Sequence, residues 1–185
     1  LDAIETLGFR GEALASIAAV THTEFITKTR EEKTGTRILI HGSEVLEKKK
    51  TGCPDGTTIV VTDLFYNTPA RRKFLKTDSA ESGQIIDFMS QIALAYPAVR
   101  FRFINNGSIL FSTTGNGDLL SAVLSVYKLR EYQDLLPVSH EENGNTVTGY
   151  ISRPSLSKSN RKNQVFFVNG RVVNSKVIER GLTEG

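Results

Sequence analysis

Cysteine is almost missing from this sequence. A single one, Cys53, leaves no partner for an internal disulfide, so the chain is not a small disulfide-stapled scaffold. The three histidines, His22, His41 and His140, stand far apart in sequence, which argues against a zinc site. Long apolar runs are lacking too, and nothing approaches the length of a membrane span. There is no internal repeat and no low-complexity segment. No basic and apolar leader opens the chain; Leu1-Asp2-Ala3-Ile4 reads as the continuation of existing structure, so a fragment is expected.

What is present is ordinary for a folded protein. The 185 residues are 39% hydrophobic and 23% charged, enough for one large domain or two small ones. The net charge of +3 conceals an asymmetry: residues 1–97 carry 12 Lys/Arg against 13 Asp/Glu, and residues 98–185 carry 11 against 7. Pro97 follows a long helical pattern and is the expected boundary between the two parts.

Leu14, Ile17 and Ala18 fall at helical spacing, and the stretches 23–29, 35–40 and 57–64, rich in β-branched residues, predict strands. Asp78-Ser79-Ala80-Glu81 has capping-box spacing, after which Ile85, Phe88, Met89, Ile92 and Tyr96 predict one packed face of a helix that Pro97 ends. Val99, Phe101 and Phe103 then alternate with Arg100 and Arg102, Asn106-Gly107 turns the chain, and Ile109 and Phe111 resume the strand. Asp118 predicts a helix cap, strands are expected over 146–152 and 164–168, and a last helix starts near Ser175. Lys48-Lys49-Lys50 reads as a solvated hairpin or loop. The fold class is α+β in both halves.

The stretch ETLGFRGEALASI, residues 5–17, places Gly8 and Gly11 directly before a helix-prone run. Such glycines let a backbone turn sharply, and amides at a helix start can converge on a phosphate. It is not a Walker A loop, because no Gly-Lys-Ser/Thr follows; taken alone, a tight turn with Phe9 plugging a core explains it better. Gly56-Thr57-Thr58 alone reads as a turn entering a strand. Arg71, Arg72, Lys73 and Lys76 follow Pro69 at a helix start and read as a solvated face, with Phe74 and Leu75 packing. Arg153, Lys158, Arg161 and Lys162 lie within ten residues that hold no acid, and Lys176 and Arg180 follow; a soluble polar loop and a phosphate-binding surface fit this composition equally.

Longer strings carry more. TLGFRGEALASIAAV (6–20), GTTIVVTDLFYNTPARRKFLK (56–76), GNGDL (115–119) and GYISRPSLSKSNRKNQVFFVNGRVV (149–173) occur in the order and spacing of one family. Through essentially its whole length the chain resembles the N-terminal ATPase region of the MutL family of DNA mismatch repair proteins. The resemblance implies a GHKL nucleotide fold, similar to those of gyrase B, Hsp90 and histidine kinases. Residues 1–97 would form a partial helix/sheet sandwich with the ATP lid and GT motif. Residues 98–185, with Leu119 onwards and Phe167-Val168-Asn169-Gly170-Arg171, would form part of a ribosomal-protein-like α/β transducer domain with a DNA-facing basic side. By the same resemblance Thr6, Gly8, Phe9, Arg10, Gly11, Glu12, Ala13 and Leu14 match the lid and helix start whose amides hold the triphosphate. Gly56 and Thr57 match the adenine side, where the threonine hydroxyl lies near the base. Arg153, Lys158, Arg161, Lys162, Lys176 and Arg180 would meet DNA without sequence preference, Lys176 matching a basic position in the family's proposed DNA groove.

The family also implies ATP and Mg2+ as cofactors, a homodimer or heterodimer on ATP binding, and coupling of a MutS-type mismatch recognition protein to downstream repair. The setting would be the bacterial cytoplasm, or the nucleus in a eukaryote. Its general-base glutamate, magnesium-holding asparagine and adenine-contacting aspartate precede the position of Leu1, and its phosphate-contacting transducer lysine follows that of Gly185. The parent is therefore expected to be an ATPase, whereas this chain alone is expected to be inactive, with no catalytic residue and no metal ligand. Glu5 and Glu12 are no substitutes, and Glu12 reads as a first-turn acid favoured by the helix dipole. Two alternatives stand beside this: a non-enzymatic module for DNA binding and partner docking, and another GHKL enzyme such as a topoisomerase subunit, which GFRGEAL and NTPARRKF argue against.

Overall fold

Three Asn-Gly pairs, Asn106-Gly107, Asn143-Gly144 and Asn169-Gly170, hold both residues at positive φ, from 48° to 76°. That backbone matches the twist of two antiparallel strands, and each pair closes a hairpin. The computed structural model describes residues 12–130, 132–157 and 159–184. The chain divides into two compact units, Leu1–Lys76 and Thr77–Gly185.

In the first unit a short helix α1 (Ala13–Ala18) precedes β1 (His22–Lys28), β2 (Gly35–His41), β3 (Glu44–Thr51) and β4 (Gly56–Thr62), and a single turn of helix, α2 (Pro69–Arg72), follows. The strands form one antiparallel sheet in the order β3-β2-β1-β4. Thr21 and Thr23 are buried where α1 leads into β1, and neither is left unpaired. Thr21 Oγ1 donates to the Ile17 carbonyl at 2.7 Å and meets Thr23 Oγ1 at 2.7 Å. Strand alternation puts Glu24, Arg37 and Glu47 on the opposite face from Thr23. There Arg37 binds both carboxylates, and Lys49 reaches Glu47 at 3.0 Å. Lys48-Lys49-Lys50 lies, exposed, on edge strand β3 of the β2–β3 hairpin, as the solvated-hairpin reading expects, and there its charge discourages further strand pairing. β4 is the other edge, and its Ile59, Val60 and Val61 are each more than 40% exposed.

The second unit contains α3 (Asp78–Ala95), β5 (Arg102–Asn105), β6 (Ser108–Ser112), α4 (Leu119–Tyr127), β7 (Leu135–Glu142), β8 (Asn145–Ser152), β9 (Phe166–Val168), β10 (Arg171–Val173) and α5 (Lys176–Glu184). Strands β5–β6, β7–β8 and β9–β10 pair as antiparallel hairpins. Helix α4 packs against α3 and β6, and α3 also touches β10. Ala93, Leu94, Phe111 and Ala122 are buried, with Phe111 tilted against its cross-strand neighbour Phe103 at 5.5 Å. Buried Thr113 accepts from the Phe101 amide at 2.9 Å and donates to the Val99 carbonyl at 3.2 Å. These bonds occupy the backbone of 99–101, and regular pairing with β6 begins only at Arg102. Likewise β9 starts at Phe166 rather than Gln164.

The helix expected to close the first domain belongs to the second unit, because α4 and β10 supply its packing partners. The division between the compact units falls at Lys76/Thr77, ahead of the boundary expected at Pro97. Divided there, residues 1–76 carry 12 Lys/Arg against 10 Asp/Glu and residues 77–185 carry 11 against 10, so the charge asymmetry disappears. Thr77, one residue before the expected capping box, caps α3, its Oγ1 accepting the Ala80 amide at 3.4 Å. The helix buries Ala93 and Leu94 in its last turn, whereas Ile85 and Phe88, expected on the packed face, are 53% and 61% exposed.

Candidate functional site

Of the residues matched to the ATP lid, Thr6, Gly8, Phe9, Arg10 and Gly11 lie outside the described residues. Glu12 occupies the N-cap of α1, and its carbonyl accepts the Ser16 amide at 2.9 Å. It is a cap residue rather than a first-turn acid, and its side chain makes no capping bond. Ala13 and Leu14 form the exposed opening turn. The far end of α1 is tied down by three donors: the Ser43 amide to the Ala18 carbonyl (3.1 Å), Asn67 Nδ2 to Ala19 (2.9 Å) and the Phe65 amide to Val20 (2.7 Å). The bonds to Ala18 and Ala19 satisfy carbonyls that a helix C-terminus leaves open, and the one to Val20 holds the chain just beyond it.

Gly56 and Thr57 sit at the start of β4, opposite Lys28 and Thr27 of β1. The Thr27 and Thr57 hydroxyls lie 2.8 Å apart, and Thr27 Oγ1 donates to the Gly56 carbonyl at 3.3 Å. Lys28 Nζ binds Asp55 Oδ1 at 2.7 Å, and that hydrogen bond raises the lysine pKa above its ordinary value. Gly56 has φ of 113° and open space where a Cβ would stand. Beneath this corner a Cβ on Gly35 would come within 2.3 Å of Cys53 Sγ and 2.9 Å of the Thr27 carbonyl. The paired hydroxyls retain acceptor capacity, which suits the polar edge of a heterocycle or a bridging water. Among the described residues there is no cluster of three or more His, Cys, Asp or Glu that could hold a metal ion.

A second cluster escapes the reading of the histidines as isolated. The His22 and His41 rings stack at 3.9 Å, Tyr66 lies 4.2 Å from His22, and His22 Nδ1 donates to Asp63 Oδ2 at 2.9 Å. Asp63 is held below the ordinary carboxyl value, first by this bond and then by the Thr62 hydroxyl. The β1–β2 register, which sets His22 opposite His41, would have brought the pair to light.

The five described basic candidates separate. Arg161, Lys176 and Arg180 line one open groove of about 390 Å³ with Glu179, Thr183 and Glu184. Arg161 Nη1 lies 3.8 Å from Glu179 Oε2, and Arg180 Nε donates to Glu184 Oε1 at 2.6 Å. Lys162 instead lines a cleft of about 40 Å³ with Asp87, Gln91 and Tyr127, whose hydroxyl pKa is raised by burial and then by Asp87. The turn that divides the neighbours is held by the Lys162 amide donating to Asn160 Oδ1 at 3.1 Å and the Gln164 amide to the Arg161 carbonyl at 3.0 Å. Arg153 Nε donates to the Gln133 carbonyl at 2.7 Å, a structural bond. Lys158 lies outside the described residues.

Comparison with known proteins gives a consistent answer. The family described as DNA mismatch repair protein, C-terminal domain, matches residues 123–185. The chain is 45% identical to the DNA mismatch repair protein MutL of Agathobacter rectalis over 98% of its length, and 44% identical to that of Symbiobacterium thermophilum over 100%. It spans 28% and 29% of those two proteins, less than a third of their length. The solved Aquifex aeolicus MutL ATPase domain complexed with ADP matches with a TM-score of 0.81 at 27% identity, covering 95% of this chain and 68% of that one. The α+β fold with antiparallel sheets is that of a GHKL-type ATPase domain with its transducer-like part. By likeness along essentially its whole length, the chain belongs to the MutL family of DNA mismatch repair proteins.

Proposed function

We propose that the protein containing this chain binds ATP, dimerises on doing so, hydrolyses it, and couples mismatch recognition by a MutS-type protein to downstream repair in the bacterial cytoplasm. The observation that carries this reading is the corner at the start of β4, where Thr57 meets Thr27 at 2.8 Å beside the open backbone of Gly56. Thr57 would orient the base and Gly56 would leave room for its approach. The lid residues matched over 6–14 would contribute amides to the phosphates. ATP would supply the electrophilic γ-phosphorus, and Mg2+ would neutralise charge on the phosphate oxygens. Hydrolysis further requires a placed water and a carboxylate, a role for which no described residue is proposed.

The second unit would meet DNA through Arg161, Lys176 and Arg180. Lysine and arginine contacts to phosphate fix position without reading sequence. That groove alone also favours a second reading, a DNA-binding module without turnover.

Phosphate release and sedimentation of the complete protein distinguish the two. Slow release with ATP and Mg2+, together with a mass increase on adding a non-hydrolysable ATP analogue, is expected. DNA binding with neither response would favour the second reading.

A further inference from the structure

The groove beside α5 holds acids as well as bases, and their placement is specific. Each arginine faces a carboxylate from α5: Arg161 with Glu179, and Arg180 with Glu184. Lys176 is the groove's one cation without an ion pair among the described residues. Three positive and two negative side chains leave the groove only weakly cationic. Both pairs are solvent-accessible, with Arg161 61% and Arg180 78% exposed, so a stronger anion can displace the carboxylates.

We propose that Glu179 and Glu184 are built-in competitors for the DNA backbone: they occupy the guanidinium groups that would otherwise bind phosphate and so set the strength of non-specific binding. This rests on the reading of the groove as a DNA surface. A guanidinium released from its carboxylate presents a forked donor set suited to phosphate oxygens. Removing the carboxylate also relieves its repulsion of the incoming phosphate. Affinity and its salt dependence should therefore rise together, because each additional phosphate neutralised on B-DNA steepens the log–log salt slope by about 0.9.

The test measures binding of the complete protein, without nucleotide, to two unrelated duplexes across a range of salt. Glu179→Gln, nearly isosteric, should tighten binding about threefold at low salt and steepen the slope by about 0.9 on both duplexes. Glu184→Gln should act in the same direction through Arg180. Glu141→Gln, on the β7–β8 hairpin, controls for general loss of negative charge and should change neither quantity comparably. Lys176→Glu tests the underlying reading and should weaken binding and flatten the slope. If Lys176→Glu weakens binding while both glutamine variants leave affinity and slope unchanged, or if Glu141→Gln matches them, the competitor role is overturned and the DNA surface stands. An unaltered Lys176→Glu protein would overturn the DNA surface and the inference with it.

Discussion

Thr27 Oγ1 and Thr57 Oγ1 meet at 2.8 Å across the β1–β4 pair, one residue from the positive-φ backbone of Gly56. Thr57→Val keeps the shape and removes the hydroxyl. In the complete protein it should weaken ATP binding about fivefold, the consequence of losing roughly 1 kcal/mol of hydrogen bonding, while Thr57→Ser retains most of the affinity. Calorimetric titration with a non-hydrolysable analogue measures this. Equal affinities for all three proteins would remove Thr57 from the nucleotide site.

Gly35→Ala should destabilise the protein by about 1–3 kcal/mol, because the new methyl has nowhere to go. It would meet Cys53 Sγ at 2.3 Å and the Thr27 carbonyl at 2.9 Å. Adding Cys53→Ala should restore only part of the loss, since the carbonyl belongs to the sheet backbone. Urea unfolding of the single and double variants provides the measurement, and complete rescue would show that the sheet yields more than this geometry implies.

The carboxyl of Asp63 should titrate below 3.8, because the His22 hydrogen bond, followed by that from Thr62, favours its charged form. A carboxyl lowered on folding contributes stability above its unfolded pKa, and that contribution is lost as pH falls through the folded value. The stability advantage over Asp63→Asn should therefore be present at pH 6 and shrink below about pH 4. The carboxyl carbon shift followed by NMR reads the site directly. His22→Ala should bring the midpoint back toward 3.8, and a midpoint indifferent to that change would dismiss the His22 bond as its cause.

Asp118 caps α4 with both carboxylate oxygens, accepting the Leu120 amide at 3.2 Å and the Ser121 amide at 3.0 Å. Asp118→Ala should cost about 1 kcal/mol, whereas Asp118→Asn should keep most of the cap. Hydrogen exchange at the first amides of α4 would rise in the alanine variant alone. Equal exchange in both variants would mean that charge, rather than the acceptor, holds the turn.

The sequence by itself determined the elements whose cause is local. Asp118 and the Asn106-Gly107 turn act on backbone groups within a few residues, and the central strands announce themselves by β-branched side chains. Asn143-Gly144 and Asn169-Gly170 carry the same turn signal, enough to have located β7 and β10. The family was also written in strings long enough to leave little room for chance, GFRGEAL and NTPARRKFL among them. Only the tertiary structure decided that α3 packs with the second unit, that His22 stacks on His41, and that Arg161 and Lys162, neighbours in sequence, line different cavities. It also decided that two glutamates face the arginines of the groove. Such relationships depend on strand register and on which surfaces come into van der Waals contact, and those are settled by the packing of distant segments rather than by the residues adjoining them.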